Sequence, residues 1–359
     1  MPKKTLLIII DNLKKGGAEL MLVGILPELN KNYKVILVTL SPECDFKKEE
    51  IFCSQKYTLD FKSKLSFISS VCKLKKIISN HQPSIIHSHL IYSSLAARLA
   101  CPGKIPLLYS VHGELSKSDF NKSILLTVIE KMTIRENHSV MAVSNVALKD
   151  YVKTIMKTKK TFVLKNYVAD LFFEKNLKEK TFNQLQPLKI MAVGNLKRAK
   201  NYDYLLRSFL LLKEFDVSLD IFGNIDHFLY SKLQSIIDRN HLPVTFKGPA
   251  DNMHQLYCDY NAFVMSSTNE GFGIAAVEAM TCGLPVMLSD IPVFREVTFN
   301  NALFFDLNDP LALANLIKQI IQGKFNLKEI SEKGIEIAKL YTKQKYLERL
   351  FTIYDEVLQ

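Results

Sequence analysis

Short apolar, β-branched runs separated by stretches of helical character recur along this chain and confine it to one class of fold. The runs are "TLLIII" (5–10), "KVILVTL" (34–40), "SIIHSH" (84–89), "PLLYSVH" (106–112), "SVMAVS" (139–144) and "TFVLK" (161–165). Strands alternating with helices give parallel sheets joined by crossover helices. After the polar stretch "EKNLKEKTFNQLQP" (174–187) the series restarts with "LKIMAVG", "VSLDIFG", "PVTFKG", "NAFVMSS", "LPVMLS" and "ALFFDL". Two similar α/β halves joined by a linker near 176–187 account for this pattern, and 359 residues, 48% of them apolar, suffice for two cores of about 150–180 residues each. The expected domains are 1–178 and 188–340, followed by a C-terminal helix over 341–359 that sets Tyr346, Leu350, Ile353, Tyr354 and Val357 on one face.

Composition narrows the setting. No apolar run approaches the roughly 18 residues of a membrane span, and the first one ends at Asp11, so it reads as a buried strand rather than a signal segment. The six cysteines are scattered, with no C-x-x-C pair, which argues for free thiols in a cytoplasmic protein; Cys282 reads as a packing residue rather than a nucleophile. Residues 1–180 hold 29 Lys and Arg against 16 Asp and Glu, whereas the remainder holds 18 against 20. A basic first half suits nucleic acid, an anionic membrane surface or a phosphorylated acceptor. Nucleic acid is disfavoured, because the basic residues come without stacking aromatics or a helix-turn-helix pattern. The basic amphipathic stretches 60–80 and 117–132 read either as packed helices with lysines outward or as a membrane-facing side.

Chemistry concentrates in "SSTNEGFGIAAVEAMTCGLPV" (266–286). A strand ends here, a Gly271-Phe272-Gly273 turn follows, and a helix starts near Ile274. The free amides and positive dipole end of such a helix attract a phosphate, and the glycines let it approach. Glu278 lies about 6–8 Å along the axis from the turn, within reach of another part of the same ligand. A carboxylate accepts hydrogen bonds from vicinal hydroxyls, so Glu270 and Glu278 suit a nucleotide sugar; on spacing alone they serve equally as a capping acid and a solvated side chain. No G-x-G-x-x-G occurs, which disfavours an ordinary dinucleotide site. His87 and His89 lack a third metal ligand and read as pocket-lining or structural; His112, at a strand end, reads by itself as structural more readily than functional.

The run E-G-F-G-x4-E-A-M followed by Cys282-Gly283-Leu284-Pro285 resembles the E-x(7)-E motif of the retaining glycosyltransferases of family 4. Further landmarks follow in order: Gly16-Gly17-Ala18-Glu19, "IIHSH" (85–89), "VHG" (111–113), "VSN" (143–145), "VGNLKRAKN" (193–201), "DIFG" (220–223) and "SDIPVFREV" (289–297). The resemblance implies the GT-B fold: two Rossmann-like domains with parallel sheets facing a central cleft, the C-terminal helix crossing back to the first. It also implies roles. Glu270 contacts the donor sugar, the amides of Gly271, Phe272, Gly273 and Ile274 approach sugar and phosphate, and Glu278 holds the ribose diol. Lys200 binds the diphosphate, Gly16 and Gly17 form a loop near the phosphates, and His112 lies beside the reacting sugar. Two positions depart from the family pattern. Asn195 stands where an arginine is common, so that either Arg198 or Lys197 substitutes or Lys200 acts with the turn amides alone, and Tyr167 replaces the glycine of an Asn-Gly-Val turn.

The expected activity is retaining transfer of a hexosyl or N-acetylhexosaminyl group from a nucleoside diphosphate sugar to a saccharide or polyprenyl-linked acceptor in surface polysaccharide biosynthesis. No Asp-x-Asp motif suggests a metal, so no cofactor is expected. The expected location is cytoplasmic, peripheral at the inner face of the membrane. A nucleotide-sugar epimerase on the same fold and a non-catalytic binding subunit are the alternatives. A starch-type synthase is disfavoured, because Lys15-Gly16-Gly17-Ala18-Glu19 replaces its Lys-x-Gly-Gly-Leu loop.

Overall fold

In the computed structural model, residues 3–61, 63–117, 124–155, 158, 160–174 and 187–359 are described. The expected linker and part of the basic stretch 117–132 lie outside them. The chain divides into one unit of Met1–Tyr167 with Lys343–Gln359 and a second of Val168–Thr342.

Among the described residues, the first unit holds seven strands: β1 (Thr5–Ile10), β2 (Lys34–Thr39), β3 (Gln55–Thr58), β4 (Ile85–His89), β5 (Leu107–Val111), β6 (Ser139–Ala142) and β7 (Lys160–Val163). They pair in parallel in the order β3-β2-β1-β4-β5-β6-β7. β1 buries five of its six residues and β4 and β5 all five, as strands covered by helices on both faces must. β3 is a strand the sequence pattern does not announce. Its QKYT sequence is half-exposed at the sheet edge, where neither continuous burial nor strict alternation is imposed.

The C-terminal helix, Lys343–Leu358, belongs to the first unit and buries Tyr346, Leu350, Ile353, Tyr354 and Val357. That face matches its i, i+4, i+7 spacing. Tyr354 packs edge-on against Tyr33 with ring centroids 5.7 Å apart, and Lys343 pairs with Glu28 at 3.2 Å. Tyr167 is buried in the same unit. Its hydroxyl donates to the Met21 carbonyl at 3.0 Å, its ring lies 5.1 Å from that of Tyr346, and Gly24, lacking a Cβ, leaves room for the phenol.

The second unit holds β8 (Leu188–Val193), β9 (Val217–Phe222), β10 (Val244–Gly248), β11 (Ala262–Met265), β12 (Val286–Ser289) and β13 (Leu303–Phe305), parallel and in the order β10-β9-β8-β11-β12-β13. Both expected domain boundaries shift. Residues 168–174, expected in the first domain, belong to the second unit, where Phe172 packs edge-on to Tyr257 at 5.8 Å. Val168 and Thr342, where the chain enters and leaves this unit, form a parallel bridge, so the expected boundary near 340 moves to 342.

Candidate active site

In each sheet the strand order reverses beside the first strand, at β1/β4 and at β8/β11. Ligands of open parallel sheets bind outside the carboxyl ends of strands at such points. In the second unit the segments leaving these two ends meet. Thr268 N donates to Ala199 O at 2.8 Å and Ser266 Oγ to Lys200 O at 2.9 Å. Lys200, at the end of a 3-10 turn over Arg198–Lys200, reaches Glu270, its Nζ 2.6 Å from Oε1, while Ser267 Oγ donates to the same oxygen at 2.7 Å. Both side chains of the ion pair remain partly exposed, 21% for Lys200 and 14% for Glu270. Gly194 makes the approach feasible, since a Cβ there would stand 2.7 Å from Lys200 Cε.

The Gly271–Gly273 turn leads into the helix Ile274–Thr281. Gly273 takes φ +87°, a left-handed conformation that a side chain disfavours, and a Cβ there would meet the Phe294 ring at 2.7 Å. Phe272 turns its ring into the core, 5.3 Å from Tyr341, so only its backbone is available to a ligand. Glu278 is half-buried and accepts a hydrogen bond from Tyr257 at 3.0 Å. Burial pushes its carboxyl up to about 7, and the Tyr257 hydroxyl opposes that rise. Tyr257 is a residue of the candidate site that the sequence did not reveal, being one of two tyrosines in "HQLYCDY". Asn195 turns its Oδ1 to Asn224 N at 3.0 Å and so braces the loop after β9. Arg198 and Lys197 are exposed on the same turn.

The first unit presents different chemistry. Gly16 precedes and Gly17 opens the helix Gly17–Asn32, so this glycine pair lies at a helix N-terminus. His87 and His89 point to one face of β4, and the parallel register of His89 with Ser110 puts Ser110 and His112 on that face too. His87 hydrogen-bonds Tyr354 Oη through Nδ1 and Ser110 Oγ through Nε2, each at 2.7 Å; His89 Nδ1 lies 3.2 Å from His112 Nε2. Burial pushes His87 down to about 3 and His112 down to about 4, and holds His89 well below the usual imidazole range. His89 and His112 line one small pocket with Ala18, Met21 and Tyr346.

Two family models match the chain in tandem, "Glycosyltransferase Family 4" over residues 15–169 and "Glycosyl transferases group 1" over 173–338. The chain belongs to the family 4 glycosyltransferases. An uncharacterized glycosyltransferase of Methanocaldococcus jannaschii is 24% identical over 301 residues, 82% of this chain and 81% of that protein. The O-antigen chain mannosyltransferase RfbU of Salmonella typhimurium is 28% identical over 208 residues, 56% of each chain. Anabaena HepE, solved in complex with UDP and glucose, superimposes with a TM-score of 0.82 over 98% of this chain and 100% of that one at 19% identity, which establishes the GT-B fold.

Within this glycosyltransferase, Lys200, Glu270 and the Gly271–Gly273 turn assemble at the β8/β11 switch point, with Glu278 further along the helix. Gly16, Gly17 and His112 belong to the first unit. None of the six cysteines is in a disulfide, and Cys282 is buried. Among the described residues no helix of the glycosyltransferase is long and apolar enough to cross a membrane.

Proposed function

We propose that this glycosyltransferase moves a sugar, with retention of configuration, from a nucleoside diphosphate donor to a saccharide or polyprenyl-linked saccharide in surface polysaccharide assembly. The observation that carries the reading is the Lys200–Glu270 pair beside a glycine turn that opens a helix at the sheet's switch point. Glu270 holds donor-sugar hydroxyls, the amides of Gly271 to Ile274 approach sugar and phosphate, and Glu278 accepts from the ribose diol. Lys200 and the helix dipole stabilise the negative charge that develops on the diphosphate as its bond to the anomeric carbon breaks. The acceptor hydroxyl attacks the same face, and its proton passes to the departing phosphate. The scheme assigns no cofactor and no metal, since the cation and the amides supply the stabilising charge. Asn195 adds none, and Arg198 and Lys197 are further cations beside Lys200 on that turn. In the first unit, Gly16 and Gly17 approach the phosphates and His112 contacts the reacting sugar.

A UDP- and glucose-bound neighbour and an O-antigen mannosyltransferase among the relatives support this donor class and pathway. The excess of lysine in residues 1–180 supports work at the anionic inner face of a membrane. A thermal-shift screen against UDP-, GDP- and ADP-sugars tests the donor reading, because a ligand at about 100 times its Kd adds about 2.7 kcal/mol to the native state. One base should raise the transition, and no response to any of them removes the reading. Turnover of UDP-N-acetylglucosamine without an acceptor would point to an epimerase.

A further inference from the structure

His89 is 3% exposed, and its Nε2 is buried with no hydrogen-bond partner among the described residues. Its other nitrogen, Nδ1, faces His112 Nε2 at 3.2 Å, and its ring is held against that of His87, with centroids 4.1 Å apart. A neutral imidazole carries one N–H. Were the His89 proton on Nε2, a buried donor would stand unpaired, which native structures seldom tolerate; on Nδ1, only a lone pair goes unused. Nδ1–H must then donate to His112 Nε2, which can accept only if the His112 proton is on Nδ1. His112 is only partly buried, and among the described residues no hydrogen bond engages its Nδ1.

We propose that His89 is a positioning residue: it donates from Nδ1 to His112 Nε2, fixes the His112 proton on Nδ1, and so makes His112 a hydrogen-bond donor to a ligand oxygen rather than a proton acceptor at that atom. This rests on the reading of His112 as a donor-site residue. The free side chain favours the opposite tautomer, so the protein must impose this one, and the hydrogen bond to the other ring nitrogen is how it does so.

Long-range proton–nitrogen NMR of the full chain with labelled histidine reads the tautomer directly, the His112 signals being assigned by their loss in His112→Gln. The expected result is a protonated Nδ1 and unprotonated Nε2 in the unmutated protein. In His89→Ala the His112 proton should move to Nε2, and kcat should fall about tenfold, equivalent to one hydrogen bond, with a smaller change in KM. His89→Asn, whose amide donor takes the place of Nδ1–H, should restore both. A His112 proton on Nε2 in the unmutated protein overturns the proposal, as does an unchanged His112 tautomer in folded His89→Ala. The first of these needs no variant of His89 to fold. Full turnover by His112→Ala would instead overturn the placement of His112 in the donor site, while the tautomer spectrum stands apart from it.

Discussion

At the strand ends of the second unit a lysine and a glutamate pair at 2.6 Å while still partly open to water. At those of the first, His87 bonds Tyr354 and Ser110 and packs on His89, which faces His112, and burial favours the neutral form of all three rings. On the proposed reading, the difference gives the two units different chemistry to offer a ligand. A diphosphate needs positive charge that remains accessible, so Lys200 cannot be fully desolvated without losing that charge. A sugar hydroxyl needs a donor or acceptor at a fixed atom, and a neutral ring locked by its neighbours provides one without net charge.

Removing the charge should have the largest effect. Lys200→Ala is expected to lower kcat by about 100- to 1,000-fold, the usual cost of deleting one group that stabilises developing negative charge. Glu270→Ala should fall as far, and circular dichroism should show both variants folded. Turnover close to the unmutated rate in either would dissolve the contrast between the units.

Glu278 sharpens the comparison, being a carboxylate of the charged site in an environment like that of the histidines. Its pKa is pushed up to about 7 by burial, so the free protein holds a proton there at pH 6 that it has lost by pH 8. Only the ionised form accepts from both hydroxyls of a ribose. Donor affinity should therefore rise from pH 6 to pH 8, and calorimetry near pH 6.5 in buffers of different ionisation enthalpy should show proton release on binding. Glu278→Gln should weaken the donor by about 1.5–3 kcal/mol, roughly 10- to 100-fold in Kd, and flatten the pH dependence.

Stability gives the opposite sign for the same residue. A raised folded-state pKa means that the native state keeps a proton the unfolded chain releases above its ordinary value of 4.5. The stability associated with neutral Glu278 is therefore full below that value and is lost as the pH rises through 7. Glu278→Gln should raise the melting temperature relative to the unmutated protein at pH 8 and not at pH 4. A lower melting temperature at pH 8 would show that the ionised carboxylate is well solvated where it stands.

The smallest effect is expected from Tyr167, whose hydroxyl bonds the Met21 carbonyl inside the first unit. Tyr167→Phe should cost about 1 kcal/mol in urea unfolding and leave donor binding in the second unit unchanged. A loss of donor affinity in that variant would show that this position acts on the charged site.

Strands with continuous apolar runs, such as β1 and β11, were legible because burial on both faces leaves only one composition suitable. β3 was not, since an edge strand meets weaker demands. Glu270, Glu278 and the glycine turn were legible as local spacing on one strand–turn–helix unit. Tyr257 was not legible, because only packing brings it to Glu278. His87 and His89 stood out in a buried strand, yet one partner of His87 is Tyr354, 267 residues further along.

By itself the sequence determined the α/β class, the doubling into two units, the buried face of the last helix and the spacing of the acids across the glycine turn. The first two follow from the recurrence of apolar runs along the chain, the last two from spacing within one or two elements. Tertiary structure decided which unit receives residues 168–174, that Asn195 braces a loop, that Lys200 reaches Glu270 and that the His87 ring packs on a His89 that faces His112. Hydrogen bonds and desolvation act through space over a few ångströms, and sequence periodicity carries no record of which distant segments fall within that range.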